Sequence, residues 1–145
     1  MSALYHAHSG LRYLVLFAAG AALLALTYAI VTGRSARAAR AIATTFAVLL
    51  SLQVLLGISL VMGGLFSDSI VAHLVIMVLA TATTHGAALV AQRASTDRRE
   101  LGIRLAGIAL AIALITAGIM AIGPRHPPQS LNQQRRFDGD ANIVR

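Results

Sequence analysis

Four apolar stretches punctuate the chain, at about 11–32, 41–65, 70–91 and 101–122, and short polar links separate them. Each reaches the ~20 residues needed to cross ~30 Å of hydrocarbon. They are dominated by Ala, Leu, Ile and Val, with no Pro and no charged residue in their middles. Backbone groups in lipid must be satisfied within their own segment, so the four stretches are expected to be helices. Short links make successive helices antiparallel. The pattern therefore predicts an all-α membrane protein, a four-transmembrane-helix up-down-up-down bundle over residues 1–123, followed by a polar extramembrane tail over 124–145.

The links carry orientation and capping signals. Arg34, Arg37 and Arg40 lie in the first, and Arg93, Arg98 and Arg99 in the third, with Arg104 just beyond; the 66–69 link has no basic residue. The positive-inside rule puts the two Arg-bearing links in the cytoplasm, and the N-terminus, the 66–69 turn and the tail on the outer side. Arg125, Arg135, Arg136 and Arg145 in the tail run against that bias. Gly63-Gly64 reads as the end of the second helix. Ser67 or Asp68 reads as the cap of the third, and Thr96 or Asp97 as the cap of the fourth, with Glu100 in its first turn. Gly102, Gly107, Gly118 and many alanines along the fourth stretch permit close helix approach in lipid.

Composition narrows the function. Hydrophobic residues make up 57% and charged residues 12% of the 145, with a mean hydropathy of +0.76, beyond the need of a soluble core. The net charge of +7 comes from twelve arginines and no lysine. Ten of these lie between and after the apolar stretches, with Arg12 and Arg104 at the starts of the first and fourth, which fits loops facing anionic lipid and not nucleic acid. Cysteine is absent, which excludes disulfides, thiolate metal sites, iron–sulfur clusters and covalently attached haem. No basic segment precedes the first stretch, so it is expected to remain as a signal anchor. No acidic residue lies within a span, which argues against cation-coupled transport. No Ser-His-acid set or phosphate loop is present.

The candidate chemistry rests on histidines. His8 opens the first helix and His73 lies about one turn inside the third, so both fall at a similar depth near the outer face, on helices that are diagonal across a bundle. One imidazole from each would give bis-histidine ligation of one non-covalent haem b. Arg12, one turn after His8, suits a propionate, and Gly118 on the fourth helix would leave room for a ring edge. As plain interfacial residues, His8 would instead be solvated and Arg12 would reach lipid phosphate. His85 is twelve residues past His73, ~18 Å deeper and rotated about 120° away; it reads as a hydrogen-bonded residue, with a quinone or a singly ligated pigment as the lesser alternative. Gln53 must hydrogen-bond across the bundle, with Thr81, Thr83 or Thr84 as expected partners, or else touch a cofactor. His6 is a spare ligand, and with His126 a copper or zinc alternative. Met62, Met77 and Met120 read as core fillers.

Three stretches resemble the haem A synthase family, over roughly residues 5–80: His8-Ser9-Gly10-Leu11-Arg12-Tyr13-Leu14-Val15, Gln53-Val54-Leu55-Leu56-Gly57-Ile58-Ser59-Leu60-Val61 and Val71-Ala72-His73-Leu74. They look like successive helices of one four-helix half of such a synthase. The opening is also similar to that of small bacterial membrane proteins of the cytochrome b-like kind. The resemblance implies His8 and His73 as an axial pair near the outer face of a bacterial inner membrane. Two departures limit it: Arg12 follows His8 by four positions where the family's arginine is adjacent, and the family's carboxylate is replaced by Leu4 or Tyr5. Haem ligation is thus implied and oxidation of a haem methyl is not. The expectation is a b-type cytochrome, an electron-transfer subunit of a larger respiratory or photosynthetic complex, in contact with membrane lipids and with other membrane subunits or a second copy of itself. The alternative is a non-catalytic accessory subunit without haem, or with a singly ligated pigment.

Overall fold

A computed structural model describes residues 2–64 and 67–121; the tail at 124–145, with His126 and four of the arginines, lies outside the described residues. The described chain is 91% helical and without strands. It forms α1 (Ser2–Thr32), α2 (Ala36–Met62), α3 (Asp68–Ala91) and α4 (Asp97–Ala121). All four are long and apolar enough to cross a membrane, so the protein is a multi-pass membrane bundle. The helices outrun the apolar stretches. The α1 helix starts at Ser2 and carries His6 and His8 within its first turns, because backbone hydrogen bonding continues past the hydrocarbon edge where hydropathy falls.

The ends follow local chemistry. Gly33 (φ +68°) ends α1 and Gly64 (φ +102°) follows α2, both in the left-handed region open to glycine. Ser67 Oγ accepts from the Ile70 amide at 3.4 Å, and Thr96 Oγ1 accepts from the Arg99 amide at 3.3 Å; each satisfies an otherwise orphaned N–H of a first helical turn.

The helices form a ring in which α1 packs mainly on α2, and α3 mainly on α4. Of the four adjacent seams, α2–α3 is the loosest; α2 and α4 approach across the short diagonal, while α1 and α3 have no close backbone approach. Small residues set the tight seams. Ala22, Ala39, Ala80 and Ala111 are buried, and a Cβ on Gly107 would collide with Ala87 across α3–α4. Phe46, Leu26, Leu50 and Leu101 are the largest fully buried side chains. Phe17 and Leu24, each 75% exposed, belong to an apolar outer surface that contacts membrane lipid.

Candidate functional site

His8 and His73 lie at the same end of the bundle, the end away from the two Arg-bearing links. A Cβ on Gly57 of α2 would stand 3.4 Å from His8 Cε1 and 4.0 Å from Leu74 Cδ1. That position brings His8 of α1 and the neighbour of His73 on α3 against one stretch of α2 backbone that carries no side chain. Gly57 is four residues after Gln53 and therefore shares its helix face. That spacing is the signal that could have singled it out.

Gln53 is buried, 5% exposed, and its partner is not a threonine. Its Nε2 donates to the His8 carbonyl oxygen at 3.0 Å and lies 3.3 Å from His8 Nε2. The expected threonines turn inward on their own helix: Thr81, Thr83 and Thr84 donate to the carbonyls of Met77, Leu79 and Ala80. In an apolar helix the nearest acceptor for a hydroxyl is the carbonyl one turn back. The contact with the His8 carbonyl fixes the Gln53 amide, because the flipped amide would set oxygen against oxygen. The amide N–H therefore meets a His8 Nε2 lone pair, which leaves the ring proton on Nδ1. His8 Nδ1 and Gln53 Oε1 are buried without a hydrogen-bond partner among the described residues. Two orphaned polar atoms at one spot are a costly arrangement in an apolar interior.

His73 is anchored from the other side. Its Nδ1 lies 2.8 Å from the Gly118 carbonyl oxygen. A carbonyl only accepts, so Nδ1 carries the proton and the Nε2 lone pair stays free. Gly118 is buried, and a Cβ there would stand 3.3 Å from both His73 Nδ1 and Ile76 Cγ2. The structure thus brings together His8, Gln53 and Gly57 on one flank and His73 and Gly118 on the other.

The remaining candidates stand apart from this group. Arg12 is exposed; its guanidinium donates to Tyr13 Oη at 2.8 Å and lies 4.8 Å from the Tyr13 ring centroid. His6 is exposed and meets the Tyr5 ring edge-on at 6.0 Å. Among the described residues no three His, Asp or Glu side chains gather into a bare-ion site. His85 is near the opposite end, where its Nε2 lies 2.9 Å from Ser51 Oγ. Ser51 Oγ also lies 2.9 Å from the Ala47 carbonyl oxygen; with the hydroxyl proton on that carbonyl, His85 donates to Ser51 from Nε2.

That opposite end also holds an ion network. Arg40 of α2 donates to Glu100 at 2.8 Å and to Asp97 at 2.6 Å, and Arg104 donates to Glu100 at 3.0 Å. Glu100 thus links α2 to α4 and serves its own i+4 arginine. The i,i+4 spacing of Glu100 and Arg104 was legible in the chain; the contribution of Arg40 was not. No family model, curated protein or solved structure matches the chain, so the chemistry of the site has to be argued from its own residues.

Proposed function

We propose that the protein is a membrane-embedded b-type cytochrome in which His8 and His73 hold one non-covalent haem b. The observation that carries the reading is the His73–Gly118 bond. Histidines that ligate metal generally donate their second ring N–H to a carbonyl or carboxylate, which fixes the tautomer and presents the other nitrogen. His73 has that arrangement. His8 supplies the second imidazole at the same end, with its Nδ1 proton still seeking an acceptor. Its Nε2 is engaged by Gln53, so the Gln53 amide must release it on ligation. Gly57 lies beside His8 and Gly118 under His73; the space over Gly118 is filled by His73 and Ile76 and leaves no room there for a ring edge, and Arg12 stands one turn from His8 as a cation for a propionate.

His8 and His73 together would hold a haem whose chemistry, when bound, would be one-electron transfer, with no position left for oxygen chemistry. His8 and His73 would set the low-spin state, and Gly118 would keep the His73 ring from rotating. On this reading the chain is an electron-transfer subunit of a larger complex in a bacterial inner membrane, with its N-terminus on the outer side.

The test is a reduced-minus-oxidised spectrum of the purified protein in detergent. The expected result is a haem α band and Soret shift, lost in His73→Ala and His8→Ala but kept in His85→Ala. A spectrum without these bands from folded protein, even after haem is supplied, would leave the accessory-subunit reading in its place.

A further inference from the structure

At the end opposite the histidine pair, the loose α2–α3 seam widens into a cavity of about 190 Å³ that neither the haem reading nor the ion network uses. Its walls include Thr44 and Ala47 of α2, His85 and Ala88 of α3, Gln92 just beyond α3, and Arg104 of α4. Thr44 and His85 are exposed on the flank of the bundle, so the cavity opens sideways, between helices, at a depth where the surroundings are lipid.

The polar lining is specific in its sign. The Thr44 hydroxyl gives its proton to the Arg40 carbonyl at 2.9 Å, and the Thr84 hydroxyl, also on the wall, gives its proton to Ala80 at 2.9 Å. His85 gives its Nε2 proton to Ser51, as argued above. What these three groups have left is lone pairs: two hydroxyl oxygens and His85 Nδ1. The wall on α2 and α3 therefore asks for a ligand that donates hydrogen bonds, while Arg104 and Gln92 provide donors for an oxygen. Arg104 brings no net charge, because Arg40, Arg104, Asp97 and Glu100 form a balanced set. An ionised phosphodiester has only acceptors and a net charge, and within this lining it would meet lone pairs without a surplus cation. A neutral ring bearing hydroxyls matches on every count. The volume agrees, since about 150 Å³ of apolar cavity accommodates one benzene ring.

We propose that this lateral cavity binds the head of a lipophilic quinol, a neutral dihydroxy aromatic ring whose apolar tail lies along the α2–α3 seam. One ring hydroxyl donates to His85 Nδ1, and the ring oxygens accept from the donors on Arg104 and Gln92. The proposal concerns binding alone and stands independently of haem.

The experiment is a calorimetric titration of the full chain in phosphatidylcholine nanodiscs with decylubiquinol, kept reduced under anaerobic conditions. The expected result is saturable binding, weakened about tenfold by His85→Phe, which keeps a ring and removes the acceptor, and at least as much by Ala88→Leu, which fills the cavity. Decylubiquinone binds more weakly than the quinol, and dihexadecyl phosphate does not compete. Circular dichroism and size exclusion establish that both variants are folded; should one fail, the other carries the test. The proposal is overturned by absence of saturable binding to folded wild-type protein, by unchanged binding in a folded variant, by a quinone affinity equal to or above that of the quinol, or by competition from dihexadecyl phosphate.

Discussion

His73 is tied to Gly118 across the α3–α4 seam by a 2.8 Å hydrogen bond from ring Nδ1 to the backbone carbonyl. The same residue that accepts this bond also clears space for the ring, since any side chain at position 118 would press on His73 and Ile76. Donor orientation and close packing therefore depend on one glycine.

Gly118→Ala should accordingly cost about 1 kcal/mol of stability and Gly118→Val about 2–3 kcal/mol, the range seen when methyl groups are forced into a packed interior. Gly57→Ala, whose nearest neighbour would be His8 Cε1 at 3.4 Å, should stay within about 0.5 kcal/mol of wild type. Thermal unfolding in one detergent orders the three. A Gly118→Val as stable as Gly57→Ala would show that α3 and α4 are not packed as described.

Gln53→Leu separates the haem-free protein from the loaded one. Without haem, the variant loses the bonds to the His8 carbonyl and ring and should be less stable by about 1–2 kcal/mol. With haem, the ring nitrogen needed by the iron has lost its competitor, so the low-spin spectrum should persist and haem should be retained at least as well as in wild type. Unfolding curves with and without haem measure both signs, and loss of the low-spin bands in folded Gln53→Leu would contradict the arrangement.

The four helices were legible because hydrocarbon thickness imposes a length that composition reports directly. Their ends were less so: Ser2 to Gly10 is helical although its hydropathy is mixed, since helix formation and membrane burial stop for different reasons. Depth along the axis can be read by counting residues, which puts His8 and His73 at one end and His85 nearer the other. Rotation and partner choice could not. Gln53 lies beside α1 and not among the threonines of α3 because helix register across the bundle depends on which small residues interlock, as at Gly107 and Ala87. The chain gives no local sign of that pairing. Likewise Arg40 looked like one more loop arginine, and only the packing of α2 against α4 brings it to Glu100.

Glu100 and Asp97 should differ although both accept from Arg40. The Glu100 side chain is 16% exposed and also holds Arg104, itself 12% exposed; Asp97 is 72% exposed. Glu100→Gln should cost about 1.5–3 kcal/mol, as expected for charge-assisted bonds at a partly buried position. Asp97→Asn should cost less than about 1 kcal/mol, as for an exposed ion pair, and that smaller loss should shrink further in high salt. Unfolding at low and high ionic strength measures the contrast, and equal losses would mean that Arg40 is held mainly by Asp97.

Two histidines on one helix are held as opposite tautomers. His73 carries its proton on Nδ1, because only a carbonyl faces that atom. His85 carries it on Nε2 when the Ser51 hydroxyl gives its own proton to Ala47. Nitrogen-15 spectra of the haem-free protein above the pH at which either ring is protonated should therefore show the protonated-nitrogen shift at Nδ1 for His73 and at Nε2 for His85. Ser51→Ala should remove the preference at His85 and leave His73 unchanged, while Gly118→Val should do the reverse. On adding haem, the His73 Nε2 resonance should move by the large amount that iron coordination produces, and the His85 resonances should not. If His85 instead shows an Nδ1 proton, Ser51 must be its donor, the 2.9 Å bond to Ala47 is then not made, and the acceptor-rich wall of the lateral cavity loses one of its three members.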